Sequence, residues 1–136
     1  MIVLDRDVLA KITKHDTDQG VLSHLQQYSN EEWTIPAVVA WESYKAGSSR
    51  TEMLRTQRVL DAHFDRVLDF TDECALEAAY LDEQLRSQDV RLDPADLLNL
   101  ATAHAAGGTF VTHNATDFDK PPLYDLVDLD VVVTDS

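Results

Sequence analysis

Short apolar runs separated by helix-length segments constrain this chain more than any other feature. MIVL at the N-terminus, WTIP (Trp33–Pro36), RVLDF (Arg66–Phe70), TFVT (Thr109–Thr112) and DVVV (Asp130–Val133) all have strand-like character. Between them the apolar residues recur at helical spacing. Strands that alternate with helices must be joined by crossovers, and crossovers impose a mostly parallel sheet covered on both faces. The expectation is an α/β, three-layer domain filling residues 1–136, with a central sheet of four to five strands. At 136 residues the chain is long enough to bury a substantial core.

The connecting helices are placed by their caps and periodicity. One begins over Val8–Ile12, and a second covers about Asp18–Tyr28 with Val21, Leu22 and Leu25 on one face. Pro36 suits the first turn of a helix through Val38, Val39 and Trp41, which Gly47 and the serines stop. Further helices are expected over about Thr51–Phe64 and after Thr71, a suitable N-cap. The clearest is LDPADLLNLATAHAAGG, with Asp93 at the N-cap, Pro94 at the first helical position and Gly107 at the stop. It is apolar nearly all round, so it should be deeply buried.

Parallel sheets of this kind bind ligands beyond the carboxyl ends of their strands. Asp5 occupies one such end, and THNATDF follows another. Four acids stand in otherwise apolar settings: Asp5, Glu42 within VVAWESYKAG, Asp96 in the first turn of the buried helix, and Asp117. Each also has a local explanation. Asp5 or Asp7 can cap the first helix, and Glu42 can pair with Lys45 one turn on. Asp96 can complement a helix dipole, and Asn114 and Asp117 can close side-chain turns.

Charge narrows the partners. The formal net charge is −14, with 25 acids against 11 bases. Such a surface repels nucleic acid at low salt, and its Asp-rich, Lys-poor composition resembles that of proteins adapted to concentrated salt. One segment runs against the trend: Lys45, Arg50, Arg55 and Arg58 face only Glu52 between Ser43 and Leu60. These bases either form a solvated face or hold phosphates. No apolar run approaches a membrane span and no signal pattern precedes the first strand. The single Cys74 excludes an internal disulfide, and together these features predict a cytoplasmic protein.

Taken in order, MIVLDRDVL, VVAWESYKAG, DLLNLATAHAAGG and TFVTHNATDF resemble the four acidic motifs of PIN-domain ribonucleases, especially the VapC-type toxins of toxin–antitoxin pairs. The resemblance runs from about Ile2 to Val133. Its most specific parts are Asp96 with Ala101-Thr102-Ala103, and Thr112-x-Asn114-x-x-Asp117-Phe118. It implies a PIN-like fold and hydrolysis of RNA phosphodiester bonds using Mg²⁺ or Mn²⁺. The implied catalytic acids are Asp5, Glu42, Asp96 and Asp117. Asp5, Asp96 and Asp117 would hold metal, Glu42 would be an outer ligand or general base, and Asp7, Thr112 and Asn114 would support them. Arg6, Lys45, Arg50, Arg55 and Arg58 would contact RNA, on grounds of charge alone. A small cognate antitoxin and a homodimer are the implied partners. Hard carboxylate oxygens drawn from distant positions suit such an ion.

The chain departs from the family at its first motif. Arg6 and Asp7 stand where Thr or Ser, then Asn or Ser, are usual. That leaves a catalytically weak PIN-like interaction module as an alternative, beside a stand-alone RNA-processing nuclease. Asp5-Arg6-Asp7-Val8 also resembles the nucleophile loop of haloacid-dehalogenase-type phosphatases, but the downstream lysine and paired acids of that arrangement are missing. No glycine-rich phosphate loop or HExxH occurs, and DTDQG at Asp16 fails the calcium-loop pattern.

Overall fold

The computed structural model describes residues 1–134. Its first half runs β1 (Ile2–Leu4), α1 (Arg6–Thr13), α2 (Gln19–Leu25), β2 (Trp33–Pro36), α3 (Ala37–Tyr44) and α4 (Arg50–His63). The second half runs β3 (Arg66–Leu68), α5 (Asp72–Arg86), α6 (Pro94–Ala105), β4 (Thr109–Thr112), α7 (Ala115–Phe118), α8 (Pro121–Leu126) and β5 (Leu129–Val131). All five strands are parallel and lie in the order β3-β2-β1-β4-β5. The expected three-layer α/β architecture is therefore present.

Strand pleating divides the core in two. Ile2, Leu4, Ile35 and Val111 face one layer with Val8, Leu9, Val21, Leu25, Val39 and Leu60. Val3, Leu68 and Phe110 face the other with Leu81, Leu85, Leu100, Ala101 and Leu123. Adjacent residues thus serve opposite layers, as the two-residue repeat of a strand demands. Full burial of Ile2, Val3 and Leu4 makes β1 the central strand in packing as well as in topology.

Strand order matters for the site. The chain moves outward from β1 through β2 to β3, then returns to the opposite side of β1 with β4. The connections leaving β1 and β4 consequently diverge, and a crevice opens at their carboxyl ends. Helix α6 carries the chain back. Gly107 ends it with φ +74°, a left-handed conformation that glycine tolerates without a Cβ penalty. Gly108 follows so close to β1 that a Cβ there would lie 2.8 Å from Val3 Cγ2.

Several element ends differ from the sequence reading. Pro36 closes β2 and precedes α3 instead of lying inside it. It is also the last partner of β3, at Leu68, so Asp69 and Phe70 have no strand to join and RVLDF is shortened to Arg66–Leu68. Likewise β5 is Leu129–Val131, because β4 ends at Thr112, the partner of Val131. The helix expected over Asp18–Tyr28 has Asp18 as its N-cap and tightens to a 3-10 turn over Gln26–Tyr28. That tightening offers the Tyr28 carbonyl to Trp33 Nε1 at 2.9 Å. No helix among the described residues is long and apolar enough to cross a membrane.

Phe110 is fully buried beside Phe118, with ring centroids 5.4 Å apart. Phe110→Ala should lower stability by about 3–5 kcal/mol in urea unfolding, from lost burial and the cavity left behind.

Candidate active site

Asp5 leaves the end of β1 with only 5% exposure. Its Oδ1 accepts from the Arg6 amide at 2.8 Å, so it does cap α1. Its Oδ2 accepts from Thr112 Oγ1 at 2.7 Å, across the gap between β1 and β4. The same threonine oxygen accepts from the Asn114 amide at 3.1 Å. Capping and convergence are therefore not alternatives at this position. A neighbouring bond, from the His113 amide to Asp7 Oδ1 at 3.2 Å, ties the other acid of the first motif to the loop after β4.

That loop folds into α7, with Asn114 as its N-cap. Asn114 Oδ1 accepts from the Asp117 amide at 3.2 Å, and its Nδ2 donates to Asp117 Oδ2 at 2.8 Å. The side-chain turn expected of THNATDF forms and fixes Asp117. On α6, Asp96 sits in the first turn as expected. One oxygen each from Asp93, Asp96 and Asp117 lies within 4.8 Å of the others. Asp5, Asp7, Glu42, Asp96 and Asn114 line a cleft of about 400 Å³ together with Arg6 and Ala10. Asp5 and Glu42 border this cleft but stand outside the three-oxygen group.

Glu42 does not form the expected pair with Lys45. Its Oε1 accepts from Asn99 Nδ2 at 3.1 Å, and Arg6 Nη1 lies 3.9 Å from its Oε2. Lys45 instead places Nζ 4.2 Å over the Trp41 ring, where the cation meets the negative face of the indole. Arg50, Arg55 and Arg58 are exposed on α4 and are not among the residues lining the acidic cleft. Arg6 is the base that lines it.

Burial and like charge act together on the acids. Burial first, then the charge of Asp7, pushes the Asp5 carboxyl up to about 7, against the opposing hydrogen bonds of Thr112 and the Arg6 amide. Burial, followed by the charges of Asp117, Asp93 and Glu42, raises Asp96 to about 6. A cluster of carboxylate oxygens whose charges raise one another's proton affinity fits a hard divalent cation, which Mg²⁺ or Mn²⁺ would be.

Two contributors were hidden from sequence reasoning. Asp93 is the N-cap residue as expected, yet its side chain makes no capping bond and its carboxylate joins Asp96 and Asp117. The three-residue interval between Asp93 and Asp96 was an available signal, since it places both on one side of the helix start. Asn99 is the other, a fully buried amide within an apolar run.

A family model of the PIN domain matches residues 2–122. The chain belongs to the PIN-domain family. Solved structures share its fold over nearly the whole length. VapBC-1 from nontypeable Haemophilus influenzae superposes with a TM-score of 0.77 at 17% identity, covering 98% of this chain and 100% of that one. VapBC2 from Rickettsia felis, bound to a DNA fragment from their promoter, gives 0.74 at 18% identity, covering 96% and 98%. A toxin–antitoxin complex from Klebsiella pneumoniae gives 0.74 at 15% identity, covering 99% and 100%. No curated protein matches this PIN domain in sequence.

Because the folded state holds the Asp5 proton more tightly than an unfolded chain at the ordinary value of 3.8, its contribution to stability is present below about pH 4. It is lost as pH rises through about 7. In metal-free buffer, Asp5→Asn should therefore gain roughly 2–4 kcal/mol relative to the native chain between about pH 4 and pH 8, measured by urea unfolding at each pH. Parallel pH profiles for the two proteins would contradict this.

Proposed function

We propose that this PIN domain is a divalent-metal-dependent ribonuclease and the toxin of a toxin–antitoxin pair. The observation that carries the reading is that Asp5, Glu42 and Asp96 line one cleft at the carboxyl ends of β1 and β4 while Asp117 closes on Asp96, four acids from separate parts of the sequence. Membership of the family and the likeness to structures described as toxin–antitoxin complexes support the same assignment.

Asp96 and Asp117, with Asp93 beside them, would hold the ion, and Asp5 would face it from the end of β1. A divalent ion supplies relief of charge on the phosphate oxygens and makes water more acidic. Asp117, fixed by Asn114, orients the attacking water toward phosphorus and receives its proton. Thr112 keeps Asp5 in place without adding charge. Glu42 stands at the edge as an outer residue that orients its neighbours. Hydrolysis then forms one water-oxygen-to-phosphorus bond and breaks the bond from phosphorus to the departing ribose oxygen, which takes up a proton.

The substrate is single-stranded or looped RNA, whose backbone can enter a cleft of this size without a duplex to accommodate. The proposed partners are a small cognate antitoxin protein and a second copy of this chain.

The decisive comparison is cleavage of single-stranded RNA by the native chain and by Asp96→Asn, in Mn²⁺ and in chelator. The native protein should cut only with metal, and Asp96→Asn should lose about a hundredfold or more of the rate, as expected on losing charge stabilisation in the transition state. Cleavage that survives both the chelator and the substitution would contradict the assignment.

A further inference from the structure

Asn99 is out of place by the ordinary rules of a helix core. It lies in α6 between Leu98 and Leu100, is 1% exposed, and its Oδ1 has no hydrogen-bond partner among the described residues. A buried amide with half its hydrogen-bonding capacity unused is disfavoured, and an aliphatic residue would pack there without that cost. Its one bond explains its presence: Nδ2 donates to Glu42 Oε1 at 3.1 Å, across from α6 to α3. Since Asn99 lies one turn beyond Asp96, this bond fixes Glu42 relative to the acid that heads the same helix.

Glu42 in turn has one oxygen left, and Arg6 faces it. The Arg6 Nη1 to Glu42 Oε2 distance is 3.9 Å, with half of the arginine side chain exposed and most of the glutamate covered. At that separation the guanidinium is tethered by charge without being consumed by a close hydrogen bond. Its planar set of donors remains available, and that geometry matches two oxygens of a phosphate. Arg6 lines the acidic cleft and also the adjoining groove between α1 and α4, so it stands where the two meet. In a chain of net charge −14, a base held at this rim can receive an anionic backbone, with Lys14 further along the same groove.

We propose that Arg6 binds the RNA phosphate at the mouth of the cleft, and that Asn99 is a positioning residue that holds Arg6 there through Glu42. This rests on the ribonuclease reading and assigns a substrate contact to the position at which the first motif departs from its family. It makes that departure a working part of the site.

The test is equilibrium binding of a fluorescein-labelled single-stranded RNA of mixed sequence, followed by anisotropy with Ca²⁺ present and over a range of salt. Arg6→Gln should weaken binding about tenfold and reduce the slope of log affinity against log salt by about 0.7, the loss of one phosphate contact to a single strand. Arg6→Lys should recover part of the affinity and the whole slope, because it keeps the charge and loses the fork. Asn99→Leu should lower the affinity in the same direction, and Asn99→Leu combined with Arg6→Gln should be no weaker than Arg6→Gln alone. Asn99→Ser, too short to reach Glu42, serves where the leucine variant does not fold. Additive losses, or a salt slope unchanged by Arg6→Gln in a native protein that binds and cuts RNA, would overturn this assignment alone. A native protein that neither binds nor cuts RNA would overturn the ribonuclease reading with it.

Discussion

Mutual repulsion among carboxylates is the constraint to which the rest of this structure answers. Two unit charges 4.8 Å apart in a partly screened protein environment repel by about 3 kcal/mol, and here three acids share that spacing with more at the border. Left to themselves such groups would spread or take up protons. The fold prevents the first by drawing them from rigid element ends and fastening them with neutral donors. Thr112 holds Asp5, Asn114 holds Asp117 and Asn99 holds Glu42. None of these three donors cancels charge, and Arg6 is the one base lining the cleft among the described residues, so the crowded carboxylates of Asp93, Asp96 and Asp117 could hold a cation.

The acids cluster where the strand order reverses. Because β4 returns to the free side of β1, the Asp5 and Asp117 segments leave adjacent strand ends, while α6 brings Asp93 and Asp96 against them. The buried strand residues that make β1 the packing centre therefore also set the position of its terminal aspartate. Core and site are joined at the peptide bond between Leu4 and Asp5.

Much of the fold was legible because its strands are short and apolar and its helices are well capped. WTIP and TFVT are strands over the residues expected, and Thr71 caps α5 through the Cys74 amide. What failed to be legible depends on partners. RVLDF and DVVV carry strand-like residues beyond their actual ends, but pairing stops when the neighbouring strand stops at Pro36 or Thr112. Asp5, Glu42 and Asp96 line one cleft and Asp117 lies beside Asp96, and their positions at or near strand and helix ends carry that information. Asp93 and Asn99 are hard to read from sequence for opposite reasons: one has a sufficient local explanation as a cap, and the other has none that spacing supplies. Of the bases expected to meet phosphates, Arg50, Arg55 and Arg58 are exposed on α4, while the base lining the cleft is Arg6.

On the proposed reading, the acidic surface and the site make opposite demands on RNA, which long-range charge repels and short-range chemistry must hold. Screening by salt weakens the first within several ångströms and leaves contacts inside the cleft less affected. The proposed site stands or falls on the cation. Crystals soaked in Mn²⁺ and measured for anomalous scattering should show a peak among the carboxylates of Asp93, Asp96 and Asp117, facing Asp5. A peak only at other surface acids, or a cleft that stays without manganese while those acids bind it, would contradict the account.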